Sequence, residues 1–250
     1  MRVFLYIAVI CLFGCSSGKE NTVISTEKPF QLIQFTHKNT NIYLLKKDKR
    51  AVLIDAGYES TYDRIEGLLT DHNVSTGELD HVIITHAHAD HAGSAYQLQK
   101  NYNCKVIAGR ADSAYIVNGL NVDICPTSLF AHILSWGTPD QYPPVEPDIY
   151  VDTAQNYLIE NWDIEIEVLP GHTPGSLVIY IDSIAFVGDL IRGKPLNRDQ
   201  PARHYFMCDV RDNDQDIEYL LSKEHLTKWY PGHFGPLMVD EVKAWAGREL

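Results

Sequence analysis

The sequence predicts a domain of the α/β or α+β class built on two β-sheets. Three observations carry this expectation. Strand-like and helix-like segments alternate between residues 51 and 108. A second group of strand-like runs lies between residues 163 and 187, followed by a helix, a strand and a helix. Apolar residues are continuous or alternating in the strand-like runs, and fall near a 3.6-residue period in the helix-like ones.

Residues 1–14 read as a secretory signal peptide, with Arg2 as its charged start and Val3 to Phe13 as its apolar run. That run is too short to span about 30 Å of hydrocarbon, which needs roughly 20 helical residues. Leu12-Phe13-Gly14-Cys15 resembles a bacterial lipobox, so Cys15 is expected to carry lipid and residues 15–29 to act as a tether. The domain, 30–250, is then expected at the cell envelope, anchored to a membrane and facing the periplasm or the exterior. Strands are expected at Phe30–Thr36, Asn41–Lys46 and Ala51–Asp55. Ser60–Leu69 has helical spacing, with Ile65, Leu68 and Leu69 on one face and Ser60 or Thr61 as cap. A buried strand at Asp80–Thr85, a helix from about Gly93 to Lys100 and a strand at Lys105–Ala108 follow. Residues 118–148, with five prolines in their neighbourhood from Pro126 to Pro147, read as a long insertion and a candidate lid; its apolar members include Phe130, Ile133 and Trp136. Asp163–Leu169 alternates, and Ser176–Ile181 with Ile184–Val187 form a hairpin turning at Asp182-Ser183. A helix over Asp212–His225, a short strand at Lys228–Tyr230 and a last helix from about Val239 to Arg248 complete the order.

A chain of 250 residues with 45% hydrophobic and 22% charged residues fits one ordinary globular domain. The net charge of −12 repels phosphate backbones, so the expected partner is a small-molecule substrate rather than nucleic acid. Of the five cysteines, Cys104, Cys125 and Cys208 remain in the mature chain, and an odd count argues against a disulfide scaffold. One bridge is compatible with this count, though spacing does not choose it. Cys208 reads as a buried structural thiol.

The chemistry concentrates in His86-Ala87-His88-Ala89-Asp90-His91, where four ligand-type side chains occupy six positions. Imidazole and carboxylate together suit zinc, and donors at this spacing face different directions, which suggests two metals. Three more candidates follow strands and adjoin glycine: His172 in Pro170-Gly171-His172-Thr173-Pro174-Gly175, Asp189 in Val187-Gly188-Asp189, and His233 in Pro231-Gly232-His233. His37, His72, His81, His132, His204 and His225 stand singly and are expected as surface or core residues.

These motifs, in this order, resemble the metallo-β-lactamase-fold hydrolases over about residues 40–240. The resemblance implies a four-layer α/β/β/α sandwich. It implies one zinc on His86, His88 and His172, a second on Asp90, His91 and His233, and Asp189 bridging them, with iron or manganese as alternative metals. It casts Asp90 as both ligand and catalytic residue orienting the nucleophile, and Asp55 as a support of the metal loop rather than a ligand. Two zinc ions lower the pKa of bound water toward about 7 and stabilise the oxyanion formed on attack.

Within that family, lactamases generally lack an aspartate where Asp189 stands, and only a short segment follows His233, too short for a helical substrate-binding domain. The expected reaction is hydrolysis of a small ester, lactone or thioester by a metal-bridging hydroxide. The alternatives are a β-lactamase and an iron-dependent sulfur dioxygenase-like oxidoreductase on the same frame. Arg192, Lys194, Arg198 and Arg203 could offer a cationic rim for a substrate carboxylate or phosphate, but a solvated loop is the favoured reading.

Overall fold

Alternation along each strand divides the side chains of two sheets among three apolar layers, and that division sets the architecture. The computed structural model describes residues 22–25, 30–152 and 157–250. The signal, the lipobox and most of the tether lie outside the described residues. The first half runs β1 (Thr22–Ser25), β2 (Gln31–His37), β3 (Thr40–Lys47), β4 (Arg50–Ile54), α1 (Tyr62–Asp71), β5 (Leu79–Ile83), α2 (Ala89–Ala92), α3 (Ala95–Tyr102), β6 (Lys105–Gly109), α4 (Ser113–Ile116), α5 (Leu129–Ser135) and β7 (Ile149–Val151). Its seven strands form one sheet in sequence order, antiparallel from β1 to β4 and parallel from β4 to β7.

The second half runs β8 (Tyr157–Ile159), β9 (Ile164–Val168), β10 (Leu177–Ile181), β11 (Ile184–Gly188), β12 (Arg192–Gly193), β13 (Pro201–Ala202), α6 (Val210–Ser222), β14 (Lys228–Pro231), β15 (Leu237–Met238) and α7 (Val239–Glu249). Here the sheet order is β15-β14-β11-β10-β9-β8, and β12 and β13 form a separate ribbon.

On β3, Ile42 and Leu44 join the layer under α1 and α3, while Tyr43 and Leu45 face the second sheet. On β10, Leu177, Ile179 and Ile181 meet the first sheet, while Val178 and Tyr180 pack with Ile217 of α6 and Val242 of α7. Each central strand is therefore apolar on both faces, which explains its continuous hydrophobic run. The result is the expected α/β/β/α sandwich.

Three local expectations need correction. The tether contains a strand, β1, because its backbone pairs antiparallel with β2. Thr61 does not cap α1 through its side chain; its hydroxyl lies 3.0 Å from His37 Nδ1 instead. Cys208 is an exposed half of a disulfide with Cys125, and the free, buried thiol is Cys104. The bridge joins the 118–148 insertion to the loop after β13, a pairing across 83 positions that spacing alone did not single out. No helix among the described residues is long and apolar enough to cross a membrane.

Candidate metal centre

Strand ends from both sheets deliver the candidate ligands to one edge of the sandwich. His86 and His88 follow β5, and Asp90 and His91 lie in α2. His172 follows β9, Asp189 follows β11 and His233 follows β14. Parallel pairing of β11 with β14 sets Asp189 and His233 side by side, and Gly232 N–H donates to Gly188 O at 2.7 Å. Glycine at 232 is required by the approach itself, since a Cβ there would fall 2.3 Å from Asp189 Oδ1 and 2.6 Å from His91 Cε1.

Asp189 Oδ2 is the hub. It lies 3.2 Å from His233 Nε2, 3.5 Å from His91 Nε2, 3.8 Å from His86 Nε2 and 3.9 Å from His172 Nε2. His172 Nε2 is 3.3 Å from His88 Nδ1. Asp90 Oδ2 is 3.3 Å from His233 Nε2 and 3.5 Å from His91 Nε2. All seven sequence-predicted residues thus meet. Their donor atoms form sets within 4.8 Å of one another, among them His86/His88/His172 and Asp90/His91/His233.

Three buried struts hold these turns. Asp55, at φ +62°, accepts from Thr85 N at 2.8 Å, and its other oxygen lies 2.7 Å from His91 Nδ1. Asp112 accepts from Ala87 N at 3.0 Å, Thr173 Oγ1 at 2.7 Å and Gly175 N at 2.7 Å, tying the His86–His88 turn to the His172 turn. Asn41 Nδ2 and Tyr43 OH both donate to Pro231 O, at 2.9 and 2.7 Å, which fixes the turn of His233. Asp55 was expected in this role. Asp112 and Asn41 were not, because nothing in their local sequence distinguishes them from ordinary polar residues.

His204 was also missed. Expected as an ordinary surface or core residue, it is buried in the centre with Nε2 3.1 Å from Asp189 Oδ2. No motif surrounds it, and only the fold brings it there. Of the four candidate rim cations, Arg203 pairs with Asp214, and Arg192 is buried with its guanidinium 3.7 Å from the Tyr205 ring centroid.

The donors fit metal. Buried His86 Nε2, His91 Nε2 and Asp189 Oδ1 have no hydrogen-bond partner, which an uncharged apolar core does not tolerate cheaply. Tetrahedral bonds of about 2.0–2.1 Å place neighbouring ligand nitrogens roughly 3.3 Å apart, close to the 3.2–3.5 Å spacings around Asp189, Asp90 and the His88–His172 pair. Burial and the neighbouring imidazoles push His86 well below its ordinary pKa. Burial also lowers His172 strongly and His88. Burial opposes charge on His91 and His233 too, but the Asp90 and Asp189 carboxylates prevail; they hold His91 well above its ordinary value and push His233 up to about 10. Positive charge is favoured on the side of the pocket that Asp90 and Asp189 face.

The family model of the metallo-beta-lactamase superfamily matches residues 36–233. A probable metallo-hydrolase of Methanocaldococcus jannaschii is 27% identical over 196 residues, 78% of this chain and 87% of that one. A hydroxyacylglutathione hydrolase of Haemophilus influenzae is 28% identical over 167 residues, covering 64% of this chain and 71% of its own. Among solved structures, the Rm3 metallo-beta-lactamase superposes with a TM-score of 0.65 at 18% identity, over 87% of this chain and 88% of its own. A metallo-beta-lactamase of Cronobacter sakazakii gives 0.60 at 19%, over 81% and 74%. With the fold, the converging donors and the matched span in agreement, the chain belongs to the metallo-beta-lactamase superfamily.

Proposed function

We propose that the protein is a two-metal hydrolase, with zinc as the first metal to test, acting on a small ester, lactone or thioester. The observation that carries this reading is the convergence of five imidazole nitrogens, all within 3.9 Å, on Asp189 Oδ2. His86, His88 and His172 would hold one ion and Asp90, His91 and His233 the other, with Asp189 shared. Bound there, the ions would supply a water activated at neutral pH and positive charge for the oxyanion. Asp90 Oδ2 accepts from Thr40 Oγ1 at 3.1 Å, which leaves the carboxylate's orientation fixed beside the shared oxygen. From that position it would orient the attacking water. The apolar α5 meets the site loop through Phe130 and Tyr205, whose ring centroids are 5.7 Å apart, so a substrate with an apolar acyl group gains contact there. Similarity to a hydroxyacylglutathione hydrolase favours including thioesters among the substrates.

The test is a panel of chromogenic lactones, esters, thioesters and a cephalosporin, run on zinc-loaded protein. Turnover of an acyl substrate that is abolished by Asp189→Ala supports the reading. Turnover of the cephalosporin alone replaces it with a β-lactamase, and full activity in Asp189→Ala refutes the shared-ligand role.

A further inference from the structure

We propose that His204 is an eighth protein ligand of the metal centre, donating through Nε2 beside Asp189 and His172. Its Nε2, His172 and Asp189 form a fourth set of donor atoms within 4.8 Å of one another. Its ring lies 5.0 Å from His172 and 5.4 Å from His233, inside the 4.1–5.5 Å range found among the other histidines of the centre. The proposal rests on the two-metal reading above.

A second observation concerns the far side of each ring. A ligating histidine characteristically hands its other ring nitrogen to an oxygen, which fixes tautomer and orientation. His91 Nδ1 faces Asp55 Oδ2 at 2.7 Å, His233 Nδ1 faces Asn39 O at 2.9 Å, and His88 Nε2 faces Val122 O at 3.2 Å. His204 has the same two-ended arrangement: Nδ1 lies 3.2 Å from Phe206 O, and Nε2 points at the centre. Phe206 N–H is also 3.3 Å from Nδ1, the contact that would dominate if His204 were instead a neutral donor to Asp189.

The backbone around His204 is pinned for such a role. The Cys125–Cys208 bridge closes the loop, Met207 N donates to Cys125 O at 2.8 Å, and Thr127 N donates to Tyr205 O at 2.9 Å. His204 would thus add a donor on the side of the centre where Asp189 and His172 meet.

The experiment is cobalt(II) loading of the full-length protein, read by titration stoichiometry and by proton NMR of the paramagnetically shifted, exchangeable imidazole N–H signals. The expected wild-type result is two cobalt ions and six such signals. His204→Ala is expected to lose one signal, keep the other five, and bind one of its two ions at least tenfold more weakly in competition with a chromophoric chelator. Two ions with only five signals in the wild type overturn the proposal alone, leaving His204 a hydrogen-bond donor to Asp189. A wild-type chain that takes up no cobalt overturns the metal-centre reading together with it. Because the wild-type count decides the matter, a variant that fails to fold does not leave the question open.

Discussion

Replacing Asp112 by alanine separates the struts of the centre from its ligands. Asp112 is fully buried, and its carboxylate ties Ala87 N–H, Thr173 Oγ1–H and Gly175 N–H together. Burial raises the pKa of this group, so its removal also relieves a desolvation cost. In Asp112→Ala, Thr173 retains Ser176 Oγ at 2.9 Å, but the two amides lose their acceptor. A buried donor left without a partner costs about 1–3 kcal/mol, so two cost roughly 2–4 kcal/mol once the relieved desolvation is set against them. For a domain of this size that corresponds to a fall in Tm of roughly 6–12 °C. The assay is thermal and urea unfolding of the metal-free protein, followed by zinc titration. The His86–His88 turn and the His172 turn are then no longer joined, so affinity for the ion they share is expected to fall about 10–100-fold. Stability within about 0.5 kcal/mol of wild type together with unchanged zinc binding would refute the strut argument.

Gly232→Ala is expected to displace Asp189 or His91 and weaken zinc binding at least tenfold, measured by chelator competition, because its Cβ has no room. Burial raises Asp216 to about 6, with Gly171 N donating to its Oδ2 at 2.6 Å. A carboxyl whose folded pKa is raised loses stability as pH climbs from 3.8 to about 6. Asp216→Asn is therefore expected to exceed wild type by about 1 kcal/mol at pH 7.5, after allowing for partial exposure, and to converge with it near pH 4 in urea titrations. Losing the Cys125–Cys208 bridge in the double serine variant is expected to cost about 2–4 kcal/mol, read as a shift in urea midpoint. The Asp90 and Asp189 carboxylates raise the pKa of His91 and His233, favouring their protonated forms, whereas ligation requires neutral imidazole. Zinc uptake should therefore release protons, detectable in calorimetry by its dependence on buffer ionisation enthalpy, and apparent affinity should rise with pH.

Much of the fold was legible in strand runs such as Ala51–Asp55 and Ile184–Val187, because strands apolar on both faces leave unbroken hydrophobic sequence. The seven converging residues were legible as candidates because each sits beside glycine or within the 86–91 cluster. The remaining parts depend on contacts between distant positions. Asp112 meets Ala87 and Gly175 across separations of 25 and 63 residues, and Cys125 meets Cys208 across 83. His204 follows a two-residue strand in an irregular loop, and its place beside Asp189 arises only when that loop is closed against the insertion. β1 was hidden for a different reason: Thr22–Ser25 is a short polar-rich edge strand, whose sequence resembles a linker until a partner supplies its hydrogen bonds.

The seam between the two sheets positions the turns that carry these polar groups. Leu177 N–H donates to Thr85 O at 2.7 Å and Asn41 N–H to Gly232 O at 2.7 Å, so main-chain bonds cross from one sheet to the other on either side of the centre. Behind them lies the layer between the sheets, where Tyr43, Phe186 and Tyr230 cluster with ring centroids 5.0–5.5 Å apart. Tyr43 joins both, with its ring in the core and its hydroxyl on Pro231 O. The ligand turns are thus set by apolar packing and backbone bonding that do not involve the donors themselves. Orphaned nitrogens such as His86 Nε2 are the local cost of that arrangement. A rigid frame that absorbs this cost holds the donors at ligand spacing, so binding a metal demands little reorganisation of the chain.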